Sequence, residues 1–420
     1  MSLGHVRLAI QDPSDAASQP FREGSTLLAY NGEAWNADAL RDSVGGPWAT
    51  SSDTEPIARL LHQVGIPCLR LIDGMFALAW TGPQGSWLAR DRYGKIPLYV
   101  AEHEGGYVFA SEIKAFARGL RPWAVPPGTA LHLETGQLIR WDEGVEPEEL
   151  APERVLELLR DGVRQRLVGD RPVCFLLSGG LDSSLVLALG KELHPEPVAY
   201  TAVYDDQSED LASARRVART LEVPLVEVPV PRPTPALIRE AVGAVEVPMK
   251  AQVEIALAHL PLTRAIAADG YRVALSGEAA DEVFCGYGNM MMAAGRAKTD
   301  DDYRLVLAKA VDKMARGNFI RVNKVMMAAG VEGRLPFMEE RLVSSLLSST
   351  KASNPPGKRL LKAAALPYLE DRDLGYLVKR TKDTFQGGTG IATAAAEVVD
   401  SPIRFYNAEA RGLFGFLPKE

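Results

Sequence analysis

With 420 residues, 46% of them apolar and 24% charged, the chain is long enough for more than one hydrophobic core and has the composition of an ordinary globular protein. Its 47 basic and 54 acidic side chains leave a net charge of −7, which provides no footprint for nucleic acid or for an anionic membrane. Three widely separated cysteines (Cys68, Cys174, Cys285), no run of eighteen apolar residues and no signal-peptide layout exclude a disulfide framework, a CxxC metal site and a membrane-spanning helix, and point to a reducing cytoplasm.

In chain order, MSLGHVRLAI reads as part of a β region. STLLAYNGEAW, GMFALAW, SWLARDR and PLYVAEHEGGYVFAS follow as short strands bounded by Gly, Asn or Asp. TEPIARLLHQVG reads as a helix, with Ser52 or Asp53 as its cap and Gly65 at its end. WDEGVEPEELAPE, acidic and bearing proline, is the expected boundary and divides the chain into 1–145 and 146–420. Beyond it strands and helices alternate: PERVLELLRDGVRQRLV is helical, VCFLLS a buried strand, LDSSLVLALGKEL a helix, AYTAVYD a strand, LASARRVARTL a helix, LVEVPV a strand. That alternation predicts a parallel sheet. VALSG is a further strand, and from about residue 290 the pattern is largely helical.

Two strand ends carry chemistry. In CFLLSGGLDSSLV a buried strand ends at Leu177, and Ser178, Gly179, Gly180, Asp182, Ser183 and Ser184 lead into a helix. Adjacent glycines admit close approach of a ligand, and hydroxyls with helix N-terminal amides suit a pyrophosphate. Asp182 suits a Mg²⁺ that bridges phosphates, while the absence of a following lysine excludes the GxxxxGK[ST] loop. In ALSGEAADEVFCGY, Ser276 and Gly277 form a turn, and Glu278, Asp281 and Glu282 place three carboxylates close together. By itself this second stretch reads equally as a solvated acidic helix start. If both loops lie beyond the carboxyl ends of parallel strands, Asp182 and Asp281 face one another across a metal–phosphate group.

SGGLDSS resembles the pyrophosphate loop of the N-type ATP pyrophosphatases. SGExxDE, followed by RVNKVMMAAGVEGRLPF and KRTKDTFQGG, is similar to the synthetase domain of glutamine-dependent asparagine synthetases. RLAIQD, YNGEAWN, SSDTEP, GMFALAW, ARDRYGKIPLYV and FASEIKAF resemble, in order, that family's glutaminase domain. The resemblance spans almost the whole chain. It implies an incomplete α+β sandwich of the N-terminal-nucleophile type, a class II glutamine amidotransferase-like domain, over 1–145. Over 146–420 it implies an α/β parallel-sheet ATP pyrophosphatase domain, similar to the adenine nucleotide α-hydrolases, with a helical C-terminal part.

The resemblance further implies ATP and Mg²⁺ as cofactors. ATP would contact Leu177, Ser178, Gly179, Gly180, Asp182, Ser183, Ser184, Val203, Ser276 and Gly277, and Mg²⁺ would sit between Asp182 and Asp281. Lys382 matches the family lysine that steadies the departing pyrophosphate, and Glu278 the glutamate that takes a proton from the attacking amine. Related enzymes that close β-lactam rings carry tyrosine where Glu278 stands, so Glu278 favours amide formation. The implied partners are a carboxylate acceptor, aspartate by default, and ammonia or glutamine-derived nitrogen. Neither nucleic acid nor membrane is expected as a partner, and a homodimer is left open.

The glutamine site of the family maps to Arg7, to Asn31, Gly32 and Glu33 as a turn, and to Asp53. Outside the family context, Asn31-Gly32 is an ordinary hairpin turn and Asp53 an ordinary helix cap. The family's glutaminase begins with a nucleophilic cysteine whose own α-amino group is the base. Met1 stands six residues ahead of Arg7 with no cysteine near, so as the chain stands glutamine hydrolysis is not expected, whether through a late start, a separate chain or a vestigial domain. The acceptor segment also departs from the family: VPMKAQVEIALAH stands in place of TTxRAS, leaving Lys250 and Glu254 as candidate readers of a carboxylate and an amine. PFLD becomes PFME at Met338 and Glu339, IKP becomes KIP, and Cys174 replaces a small residue. A non-aspartate acceptor, or an inactive binding homologue, are the competing readings.

Overall fold

The computed structural model describes residues 1–380, 391–399 and 401–418. The first part is antiparallel. Strands β1 (Phe21–Glu23), β2 (Thr26–Ala34), β3 (Gly74–Gly82), β4 (Gly85–Arg90), β8 (Thr129–His132) and β9 (Leu138–Arg140) form one sheet in the order β1-β2-β3-β4-β8-β9. Strands β5 (Tyr99–His103), β6 (Gly106–Ala110) and β7 (Trp123–Ala124) form a second sheet, ordered β6-β5-β7. Alternation along β3 explains why they stack. Phe76, Leu78 and Trp80 point to a core shared with Ile57 and Leu61 of α2 (Thr54–Gln63), beside α1 (Ala37–Val44). Met75, Ala77 and Ala79 point the other way, to a core shared with Val100 of β5.

The second part is a parallel sheet. β10 (Val173–Leu176), β11 (Ala199–Val203), β12 (Leu225–Pro229), β13 (Val273–Leu275) and β14 (Glu332–Arg334) lie in the order β12-β11-β10-β13-β14. The connecting helices are α3 (Pro152–Arg166), which leads into β10, then α4 (Leu181–Leu193), α5 (Glu209–Thr220), α6 (Pro235–Val245) and α7 (Lys250–Ala268). Between β13 and β14 come α8 (Ala280–Val283), α9 (Gly288–Arg296), α10 (Asp300–Met314) and α11 (Asn318–Met327). α12 (Glu340–Leu347), α13 (Arg359–Glu370), α14 (Tyr376–Lys379), α15 (Ile391–Val398) and α16 (Pro402–Phe414) complete the described chain. The order reverses between β10 and β13. A ligand crevice therefore belongs beyond the carboxyl ends of those two strands.

Four expectations are corrected. β14 lies in the stretch whose sequence pattern is largely helical. Its residues Glu-Gly-Arg carry no apolar run, and backbone pairing to β13 makes them a strand. The segment MSLGHVRLAI is not a strand. Its carbonyls are taken by the second part instead, Ala9 O accepting from Arg171 Nε at 2.9 Å and Ile10 O from Asp170 N at 2.9 Å. Asn31 and Gly32 lie inside β2 rather than in a turn; a Cβ at Gly32 would stand 2.0 Å from Met75 O, so glycine lets β2 and β3 close up. Asp53 does not cap α2 with its side chain: the Thr54 amide donates to Ser52 Oγ at 3.2 Å.

Candidate active site

The loop after β10 builds the crevice floor. Gly179 has a left-handed backbone (φ 77°), which turns the chain so that Gly180 precedes the first turn of α4. Ser183 Oγ reaches back, 3.0 Å from Ser178 Oγ, and accepts from Ser178 N at 3.1 Å, so the loop is fastened to itself. Gly179 O is held from outside by Ser213 Oγ at 2.7 Å and by Arg380 Nη1 at 3.2 Å. Leu177 and Val203 stand at the ends of β10 and β11, where Leu177 N donates to Tyr200 O (2.9 Å) and Val203 O accepts from Val230 N (2.8 Å).

The loop after β13 packs directly onto this floor. A Cβ at Gly277 would lie 2.5 Å from Ser183 N, so only glycine brings Ser276-Gly277 against the start of α4. Ala279 has φ 80° and starts the four-residue α8, which presents Asp281. The acidic stretch is thus not a solvated helix start, because Glu282 is buried. Burial, then Glu278 and Asp281 nearby, pushes the Glu282 carboxyl up to about 7. Tyr287 OH donates to Glu282 Oε1 at 3.0 Å, and Asn318 Nδ2 donates to the same oxygen at 2.8 Å.

Asp182 and Asp281 do converge. Between them lies the ammonium of Lys358, with Nζ 2.7 Å from Asp182 Oδ2 and 2.7 Å from Asp281 Oδ1. Burial opposes the lysine's charge, but the two aspartates outweigh it and hold Lys358 up at about 12. Sequence reasoning missed this residue, and also Arg380, whose Nη2 donates to Asp210 Oδ1 at 2.6 Å. Lys382 lies outside the described residues.

Behind the acidic loop, Arg321 of α11 is buried and engaged on all sides. Its Nη2 donates to Glu278 Oε1 at 2.6 Å and its Nε to Gln252 Oε1 at 2.9 Å, while Nη1 lies 3.1 Å from His259 Nδ1. Burial, reinforced by Arg321, pushes the His259 imidazole down to about 3, so it is neutral here. Lys250 and Glu254, one turn apart on α7, pair with each other at 3.1 Å.

The residues expected to read glutamine each have partners within the chain. Arg7 donates to the carbonyls of Gln11 (2.6 Å), Asp12 (2.6 Å) and Ser14 (3.1 Å). Asn31 Nδ2 donates to Ser111 Oγ. Glu33 accepts from Gln11 Nε2 and pairs with Arg334 of β14 at 3.2 Å, and Asp53 accepts from Tyr30 OH and Ala34 N. Burial raises both carboxyls, with Arg334 pulling Glu33 back and the Ala34 amide pulling Asp53 back.

The crevice fits an Mg²⁺–phosphate group. Two carboxylates converge on one cation position, and Asp182 Oδ1 and Ser184 Oγ are buried without a hydrogen-bond partner beside an α-helix N-terminus. Mg²⁺ is commonly held by one or two carboxylates together with substrate phosphates.

A glycine-rich loop and paired aspartates thus lie at the switch point of a parallel sheet, behind an antiparallel two-sheet half. Residues 1–131 match the glutamine amidotransferase domain family, and residues 154–309 and 294–414 match the asparagine synthase family. The chain is 30% identical to the glutamine-hydrolyzing asparagine synthetase 3 of Arabidopsis thaliana, over 92% of this chain and 72% of that relative. It is 28% identical to the asparagine synthetase of Sandersonia aurantiaca, over 92% and 79%. The chain belongs to the asparagine synthetase family, carbon–nitrogen ligases that use ATP to make amides. Among the described residues no helix is long and apolar enough to cross a membrane.

Proposed function

We propose that this chain joins a carboxylic acid to ammonia, splitting ATP to AMP and pyrophosphate, with the aspartate β-carboxylate as the default acceptor and asparagine as product. The reading is carried by the convergence of Asp182 and Asp281 on one cation position, beside the loop of Ser178, Gly179, Gly180, Ser183 and Ser184. That loop and the N-terminus of α4 cradle the β- and γ-phosphates. Leu177, Val203, Ser276 and Gly277 offer backbone at adjoining strand ends to the nucleotide. Asp182 and Asp281 would hold Mg²⁺, which when bound supplies positive charge against the leaving pyrophosphate.

The acceptor carboxylate oxygen attacks the α-phosphorus, and the bond to the β-phosphate oxygen breaks, with Lys382 and Arg380 offsetting the pyrophosphate charge. Ammonia then attacks the acyl carbon, the bond to AMP breaks, and Glu278 accepts the proton released by nitrogen. Arg321 fixes the orientation of that carboxylate, and Gln252 and His259 fix Arg321. We place the division between a glutaminase-like unit and the synthetase unit at 145/146.

Free ammonia is the proposed nitrogen donor. Arg7, Glu33 and Asp53 are committed to internal partners, and the thiols of Cys68, Cys174 and Cys285 are buried, that of Cys68 pushed by burial up to about 12. One observation favours an acceptor other than aspartate: the guanidinium nitrogens of Arg321 are all engaged, and Lys250 is paired with Glu254 rather than presented singly to a carboxylate. The test is pyrophosphate release with ATP, Mg²⁺ and ammonium or glutamine, across a panel of carboxylic acids. Release with aspartate and ammonium, with asparagine found by mass, supports the default reading. Release with another acid alone moves the acceptor, and release with none refutes the ligase reading.

A further inference from the structure

Neither the glycine-rich loop nor the acidic turn accounts for Lys358. Its backbone is left-handed (φ 60°) and follows Gly357 (φ 85°), immediately before α13. Two amides pin this corner to the chain just after Asp281: Lys358 N donates to Phe284 O at 3.1 Å, and Gly357 N to Cys285 O at 2.8 Å. Gly286 clears the path of the side chain, since a Cβ there would stand 2.5 Å from Lys358 Cε and 2.1 Å from Asp281 Oδ1. The ammonium is therefore built into the point where Asp182 and Asp281 converge.

A purely structural ion pair would neutralise two poorly solvated acids and do nothing more. These acids, however, are the ones on which a metal–phosphate group must be held if the ligase reading is right, and the inference rests on that reading. A dication and an ammonium cannot share one position, and at contact distance away from bulk water their repulsion is strong. For the metal to enter, Lys358 must leave. A lysine carries its charge on a flexible four-carbon stem and needs an anion to receive it. The triphosphate beside the same loop is such an anion.

We propose that Lys358 is a placeholder cation. It occupies the divalent-ion position between Asp182 and Asp281 until Mg²⁺ and the triphosphate arrive together, and then its ammonium transfers from the aspartates to the phosphates. Metal alone binds weakly, because displacing the ammonium leaves it without a partner. Metal with nucleotide binds well, because the ammonium has somewhere to go. Lys358 is thus a positioning residue that couples metal entry to nucleotide entry.

The experiment measures Mn²⁺ affinity of the full chain by calorimetry and electron paramagnetic resonance, with and without α,β-methylene ATP, whose α–β link the reaction cannot break. In the native protein, Mn²⁺ should bind at least tenfold more weakly without the analogue than with it. In Lys358→Met, Mn²⁺ alone should bind at least tenfold more tightly than in the native protein, and Lys358→Met with Asp281→Asn should lose that gain. Equal Mn²⁺ affinity in the native protein with and without the analogue overturns the proposal, whether or not the variants fold. Equal affinity of the native protein and folded Lys358→Met without nucleotide overturns it as well. These readouts need no turnover, so an absence of pyrophosphate release, which sinks the ligase reading, is distinguishable from an absence of metal–nucleotide coupling.

Discussion

Gly179 and Gly286 serve the crevice for different physical reasons, and substitution should separate them. Gly179 is left-handed, and a Cβ on it would meet backbone, Asp210 O at 2.2 Å and Ala214 N at 2.8 Å. Backbone cannot yield cheaply, so Gly179→Ala is expected to cost about 2–4 kcal/mol in urea unfolding and to remove pyrophosphate release. A Cβ on Gly286 would instead meet two side chains first, Asp281 Oδ1 at 2.1 Å and Lys358 Cε at 2.5 Å, with the Asp281 Cα at 3.0 Å. Gly286→Ala is expected to cost about 1–3 kcal/mol while raising the Mg²⁺ needed for half-maximal turnover; an unchanged Mg²⁺ requirement would refute the role given to that contact. Serines, glycines and an aspartate clustered at one strand end made the first of these sites legible in the sequence. Lys358 was not legible, because it lies 176 positions from Asp182 and carries no local signature. Asn31-Gly32 misled in the opposite direction: a dipeptide typical of hairpins is needed here for close strand approach inside β2.

At the scale of elements, α6 ends on Glu246 in a left-handed conformation (φ 63°), and its carboxylate ties the two halves of the molecule together. It accepts from the amides of Ile113 and Lys114 at 2.8 Å each, in the first half, and pairs with Lys324 of α11 in the second. Lys324 is buried, with Nζ 4.5 Å from the centre of the Tyr99 ring. Glu246→Gln strands that ammonium and is expected to cost about 3–5 kcal/mol, whereas the double variant with Lys324→Met is expected to regain most of it. Urea unfolding of the four proteins in the cycle measures the coupling, and additive losses would show that the pair does not act as a unit. Helical periodicity and buried apolar runs made α2, α3, α4 and α5 and the parallel strands β10 to β13 readable, whereas α1, α6 and α7 carry no reading in the sequence. β14 was not readable because its pairing to β13 is a backbone property, while its side chains, Glu332 and Arg334, serve a charge network with Glu33.

Across the whole molecule, buried ionisable groups of opposite sense set how stability depends on pH. Glu340 lies where the halves meet, 3.4 Å from Arg92 Nε. Burial, reinforced by Asp73, pushes its carboxyl from 4.5 to about 7 against the pull of Lys95, Arg92 and Arg166. Between those values the folded state keeps a proton that the unfolded chain has lost, so this group's contribution to stability falls as pH rises. His259 acts the other way. Burial and Arg321 push it from 6.5 to about 3, so below pH 6.5 the unfolded chain binds a proton that the fold refuses, and stability falls as pH drops. The two slopes oppose each other between about pH 5 and 6.5, each on the order of 1 kcal/mol per pH unit. Glu340→Gln should therefore make stability rise more steeply with pH over that window, and His259→Gln should make it rise less steeply or fall. Urea unfolding at half-unit pH steps measures both differences against the native protein. Parallel stability–pH curves for Glu340→Gln and the native protein would mean that Glu340 is already ionised in the fold at pH 5.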